Sequence, residues 1–214
     1  MENRRQEVVT EERDLGVVVS NDLKASKQCR TAYTKAMRTL EMMKEQLYIK
    51  RKTLLKLYKT LIRPLLEYCS STWSPHYVKD KQPLEKAQHW FTRTVPGLAR
   101  MEYQDQLKVL NIWSLEERRN RADLLETFKV VKGLSTMPAN SFFEISKDKR
   151  TRGHDWKLVK HHCRTDVRKF FFSERVINRW NQLDQVSIEA KTLNAFKSQL
   201  ERITRTRKEF YLDR

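Results

Sequence analysis

From about Lys24 to Leu47 the apolar residues Cys29, Ala32, Tyr33, Ala36, Met37, Leu40, Met43 and Leu47 recur at steps of three and four, the spacing of one helical face. The opposite side carries Lys24, Lys27, Arg30, Lys35, Arg38 and Lys44. After a basic turn at Lys50, Arg51 and Lys52, a second helix follows in which Leu54, Leu57, Tyr58, Leu61, Leu65, Tyr68 and Cys69 share a face. Pro64 lies inside that pattern; it removes one backbone donor and predicts a kink or short break near Arg63. Ser70 to Pro83 reads as a connecting loop around Trp73, and a third helix spans about Leu84 to Thr94, stopping before Pro96-Gly97.

Upstream, two short β-prone runs, Glu7-Val8-Val9 and Leu15 to Val19, flank the charged stretch Thr10 to Asp14. Downstream, Tyr103 to Leu110 suits a short helix. Ser114 followed by Glu117 fits a capping box, in which the serine side chain takes an orphan amide and the glutamate reaches back. Ala122, Leu124, Leu125, Phe128 and Val131 then face a core, and Gly133 supplies a left-handed stop. Leu134 to Lys149 reads as a long connection anchored by Phe142 and Phe143, and as the best domain boundary. Phe172, Val176, Trp180 and Leu183 mark another helix, and Thr192 caps a last one carrying Leu193, Phe196, Leu200 and Ile203.

A mainly α fold also suits the composition: a third of the 214 residues are charged, and only 4 Gly and 5 Pro are available for turns. Lys and Arg number 44 against 27 Asp and Glu, a formal charge of +17 that favours a polyanionic partner. The polar start lacks a signal-peptide core, and no run approaches the ~18 to 20 apolar residues of a membrane span, so an intracellular protein, nuclear or cytoplasmic, with no membrane partner is expected. Cys29, Cys69 and Cys163 form no CxxC and are expected to be free and mostly buried.

The densest basic stretch is 147 to 169: Lys147, Lys149, Arg150, Arg152, Lys157, Lys160, Arg164, Arg168 and Lys169, interleaved with His154, Trp156, His161 and His162. Cations neutralise phosphates and aromatic planes let bases stack, so the interleaving suits a nucleic-acid groove; a solvated basic loop with Trp156 packed on the core is the competing reading. His154 with His161-His162-Cys163 matches no common zinc spacing, and no glycine-rich phosphate loop, nucleophile elbow or HExxH is present, so no metal, cofactor or catalytic residue is expected. Trp73, Trp113 and Trp180 read as core anchors.

Several segments, in order, carry a family resemblance: DLGVVVSNDLK (14 to 24), LYKTLIRPLLEYCSSTW (57 to 73), LEKAQ (84 to 88), SLEERRNRADLLETFKVVKG (114 to 133), RTRGHDWKL (150 to 158) and FFSERVINRWNQL (171 to 183). Together they are similar to the thumb and post-thumb part of non-LTR (LINE, jockey-type) retrotransposon reverse transcriptases. The resemblance runs from about Asp14 to Ile203. One departure is Asp184, where the family's WNxL motif is usually followed by proline.

The resemblance implies a residual β element over 1–22 like the end of a palm, a helical thumb-like domain over 23–133, and a basic loop with a helical C-terminal region over 134–214. It implies a thumb that grips RNA, an RNA:DNA hybrid or duplex DNA by backbone and shape, with Lys24, Lys27, Lys50, Arg51 and Lys52 as candidates beside the 147–169 stretch. Such polymerases hold two divalent metals with an adjacent Asp pair and a third carboxylate. No Asp-Asp pair occurs in this chain, so it is expected not to polymerise by itself. The alternative is a co-opted helical interaction protein that binds an acidic protein partner.

Overall fold

The computed structural model describes residues 9–44, 50–147, 153–207 and 209–213. The fold is mainly α, with a short two-stranded antiparallel sheet near the N-terminus. The chain forms two compact units, one made of residues up to Cys69 with Trp73–Ile112, the other of Ser70–Thr72 with the residues from Trp113 onward.

In the first unit, β1 (Glu11–Asp14) pairs with β2 (Val17–Ser20), with Asp14 opposite Val17 and Leu15-Gly16 as the two-residue turn. Both turn residues have positive φ, 44° and 87°, the combination that matches the right-handed twist of a hairpin. Strand formation at Leu15–Val19 is thus shifted to Val17–Ser20, and its partner is the charged stretch rather than the upstream valine run. Val9 is outside the strand, and Glu7 and Val8 lie outside the described residues. The left-handed turn at Leu15-Gly16 sets the register of the pair whatever the strand propensity of Glu11–Asp14. Tyr68 donates its hydroxyl to the Leu15 carbonyl at 3.0 Å and holds the turn down.

α1 (Ser26–Lys44) buries Cys29, Ala32, Ala36 and Leu40, as its periodicity implies; Leu47 lies outside the described residues. The second helix departs from its simple pattern. α2 (Arg51–Leu57) passes into a π-helical turn, Tyr58–Ile62, and then into α3 (Arg63–Glu67), which starts with Pro64 in its first turn. The buried residues are Leu54, Tyr58, Ile62 and Leu66, whereas Leu61 and Tyr68 are 48% and 54% exposed. Steps of four overshoot the 3.6-residue α repeat by about 40° each and would spiral off the core. A wider turn unwinds that drift. The Pro64 ring, which cannot donate to a carbonyl four residues back, falls where the α ladder is already interrupted.

The segment read as a loop is largely helical. Cys69, with φ of 51°, turns the chain into α4 (Ser70–Trp73), and α5 (Val78–Thr94) begins six residues upstream of Leu84 with Pro83 inside it. What offsets the lost bond at Pro83 is tertiary: α5 packs along α1, and buried Asp80 accepts the Ser26 hydroxyl at 2.7 Å. α6 (Tyr103–Leu110) completes the unit. Between α5 and α6 lies a buried polar network in which Tyr58 donates to Gln88 at 2.5 Å, Gln88 to the Tyr103 hydroxyl at 3.0 Å, and Tyr103 to Glu85. Burial pushes the Tyr103 phenol up, so it serves as a donor.

The second unit is built on α7 (Leu115–Val131), which starts at the Ser114–Glu117 capping box. It ends with Gly133 at φ 68°, and the Leu134 amide returns to the Lys129 carbonyl at 2.8 Å. The second unit begins at Trp113, apart from Ser70–Thr72, and α7 carries much of its core, whereas the sequence reading puts a boundary at 133/134. Leu124, Phe128 and Val131 meet the residues of the C-terminal helices, and Phe128 stacks on Phe196 at 4.2 Å. The helix read from Phe172 to Leu183 is two pieces, following α8 (Asp166–Lys169): α9 (Phe172–Arg175) and α10 (Ile177–Asn181), bent at Val176. α11 (Gln185–Ile188) follows, and α12 (Leu193–Thr206) starts at Thr192, whose side chain accepts the Ala195 amide at 3.1 Å. Asp184, the departure from WNxL-Pro, caps α11 by accepting the Ser187 amide at 2.8 Å. Cys29 is buried, Cys163 half-buried and Cys69 exposed, so the expectation of mostly buried thiols holds for Cys29 alone.

Candidate nucleic-acid interface

Two of the quoted motif segments, distant in sequence, meet in the second unit. His154, Trp156 and Leu158 are hydrogen-bonded to Trp180 and Asn181. The His154 ring is 3% exposed; its Nε2 lies 3.0 Å from the Trp180 carbonyl and its Nδ1 accepts the Trp156 amide at 3.2 Å. That pattern needs a neutral imidazole protonated at Nε2. Burial holds its pKa below the usual histidine value, in keeping with the neutral form. In return, Trp180 Nε1 donates to the Trp156 carbonyl at 2.8 Å. Asn181 acts as a surrogate strand: its amide oxygen accepts the Leu158 amide at 2.9 Å and its amide nitrogen donates to the Leu158 carbonyl at 2.8 Å. On the other side of Leu158, Ser146 and Val159 exchange backbone bonds with Lys157 and Glu144 at 2.7 and 2.8 Å.

His154 and Trp156, read from the sequence as ligand-facing, are therefore occupied within the protein. Trp156 is half-buried against the core, with the Lys132 ammonium 4.7 Å from its ring centroid. Lys157 is half-buried and Lys147 exposed. Lys149, Arg150 and Arg152 lie outside the described residues.

Beyond Val159 the chain turns outward. Lys160, His161, His162, Arg164, Arg168 and Lys169 are all exposed. Two of these side chains reach buried Glu174 of α9, whose Oε1 sits 3.4 Å from Arg168 Nη2 and 3.6 Å from His161 Nδ1. Glu144 reaches His161 Nε2 at 3.1 Å. Thr165 caps α8 between the two tethers. The result is a run of cations on an exposed segment that the core holds in place.

The remaining candidates belong to the first unit and are not gathered in the same way. Lys27 pairs with Glu11 at 2.7 Å and Lys24 with Asp22 at 3.6 Å, so both attend the hairpin end of α1. Arg51 donates to the Val109 carbonyl at 3.0 Å, which commits it to the end of α6. Lys50 and Lys52 are exposed.

Sequence reasoning missed the buried ion pair of the second unit. Arg175 grips Asp123 through Nε and Nη2 at 2.8 and 2.9 Å and also donates to the carbonyls of Phe170 and Ser71 at 3.2 and 2.6 Å. Burial pushes the Asp123 carboxyl up, and the guanidinium opposes that push. Both residues lie in quoted motif segments; nothing local in either segment signals the partner. Among the described residues, no group of three or more His, Cys, Asp or Glu side chains could hold a metal ion, and no helix is long and apolar enough to cross a membrane. Comparisons with family models, with curated proteins and with solved structures each gave no match.

Proposed function

We propose that this chain is a non-catalytic portion of a non-LTR retrotransposon reverse transcriptase, from the thumb onward, that binds RNA or DNA without sequence preference. The observation that carries the reading is the exposed cationic run Lys160–Lys169, two of whose side chains, His161 and Arg168, meet buried Glu174, within a chain of charge +17. Cations on an exposed, ordered segment neutralise phosphates without regard to sequence. The order of the six sequence segments supports the family, and the contact between RTRGHDWKL and FFSERVINRWNQL gives those segments a shared structural purpose. Polymerisation is assigned to no residue, since the chain has no adjacent aspartates to hold two metals.

The test is a fluorescence-anisotropy titration of the chain against duplex RNA, an RNA:DNA hybrid, single-stranded RNA and an acidic polypeptide across a salt range. Affinity for nucleic acid should fall steeply with salt, and Lys160→Ala/Arg164→Ala/Lys169→Ala should reduce the slope of log K against log salt by up to about 2 to 3. A wild-type slope in the triple variant sinks the assignment to this segment. Tight binding of the polypeptide with none of nucleic acid favours an interaction protein with an acidic partner.

A further inference from the structure

The exposed segment of the second unit carries an aromatic ring as well as cations. Phe172 is buried in the core, yet its neighbour Phe171 is 43% exposed at the junction of α8 and α9. The Arg168 guanidinium lies over the Phe171 ring, 5.9 Å from its centroid, and the Lys169 ammonium over that of Phe170 at 5.3 Å, so on Phe171 the face away from Arg168 is the one a base would use. Arg168 is itself fixed by buried Glu174, which limits the motion of the residues next to Phe171. Segment 160–171 itself carries Lys160, Arg164, Arg168 and Lys169 with one carboxylate, Asp166, while Glu174 reaches Arg168 and Glu144 reaches His161 from outside it. Trp156, the other aromatic of the basic stretch, is held under Lys132 against the core.

We infer that segment 160–171 is a binding strip for single-stranded nucleic acid, in which a base stacks on Phe171 while Lys160, Arg164 and Lys169 neutralise the flanking phosphates. This rests on the nucleic-acid reading above and adds a preference to it. Every base has a π face, so stacking tolerates any sequence, but only an unpaired strand can offer that face to a side chain. A duplex would meet the cations and leave the ring unused. The strip therefore discriminates strandedness by one residue and retains charge-driven affinity for both forms.

The experiment measures affinity for a 12-nucleotide oligouridine and for a 12-base-pair RNA duplex with the wild-type chain, Phe171→Ala, Phe171→Trp and the Lys160/Arg164/Lys169 triple alanine variant. Phe171→Ala should weaken the single strand by about 5- to 140-fold while changing the duplex less than about twofold. Phe171→Trp should retain or strengthen single-strand binding, and circular dichroism melts should show the variants folded, since Phe171 is not among the buried core residues. Equal losses for both ligands, or no loss for the single strand, overturn the stacking role. If the triple variant loses both ligands in that case, nucleic-acid binding through the cations stands without it; if the wild-type chain binds neither ligand, both proposals fall.

Discussion

His154 is conspicuous in the sequence as a ligand-facing candidate, and in the structure its ring nitrogens face backbone groups. Lying among basic residues and two positions before Trp156, it matched a ligand-facing pattern, and both its nitrogens meet backbone groups of Trp156 and Trp180. The Trp180 partner is invisible locally, because it is 26 residues away. The burial that lowers its pKa has a definite sign in the stability. Unfolded, the imidazole titrates near pH ~6.5. Below that pH the unfolded chain takes up a proton that the folded chain resists, so stability is full above about pH 6.5 and declines as pH falls toward the folded value. Urea midpoints at pH 7.5 and 5.5 should therefore separate more for the wild-type chain than for His154→Gln. An equal separation would show that the ring is not held neutral.

Among the helices, legibility tracked how far local chemistry alone sets the element. The Ser114–Glu117 capping box, Thr192 and Gly133 marked true ends because each satisfies backbone groups within a few residues of itself. The start of α5 did not show, because Pro83 inside a helix is tolerated only through the α1 contact and the Asp80–Ser26 bond. The second helix is the sharpest case: a regular α reading puts Leu61 on the core face, and the π turn replaces it with Ile62. Ile62→Ala should thus cost about 2 to 5 kcal/mol, as a buried large-to-small change does. Leu61→Ala should cost under ~1 kcal/mol, in the range of surface substitutions. Chemical denaturation of the two variants decides it; the reverse order would mean that the helix is regular.

At the scale of the whole chain, the mainly α class and the short N-terminal sheet were legible from periodicity and from scarce turn residues. The division into units was not. It depends on α7 joining the residues that follow it, through pairs such as Asp123 and Arg175 that are 52 positions apart. Arg175→Met would leave the Asp123 carboxyl buried without its guanidinium, and breaking such a pair costs about 3 to 5 kcal/mol. Hydrogen exchange should then accelerate first at core amides of α7, α10 and α12, with α1 and α5 keeping more of their protection. Uniform acceleration throughout would show that the two units open as one.

The hairpin at the start of the first unit also bears on how the protein behaves in concentrated solution. A ribbon of two strands has two unsatisfied margins, and each invites pairing with another polypeptide. On β2 the outward Val18 amide is already taken by the Gln28 side chain at 2.9 Å. On β1 all four side chains, Glu11, Glu12, Arg13 and Asp14, are charged and exposed. Three of the four are acidic, so a second molecule approaching edge to edge would bring carboxylates against carboxylates. A run with so little intrinsic liking for an extended conformation is kept there by its turn and its partner strand, and in exchange it keeps copies of the protein from zipping together.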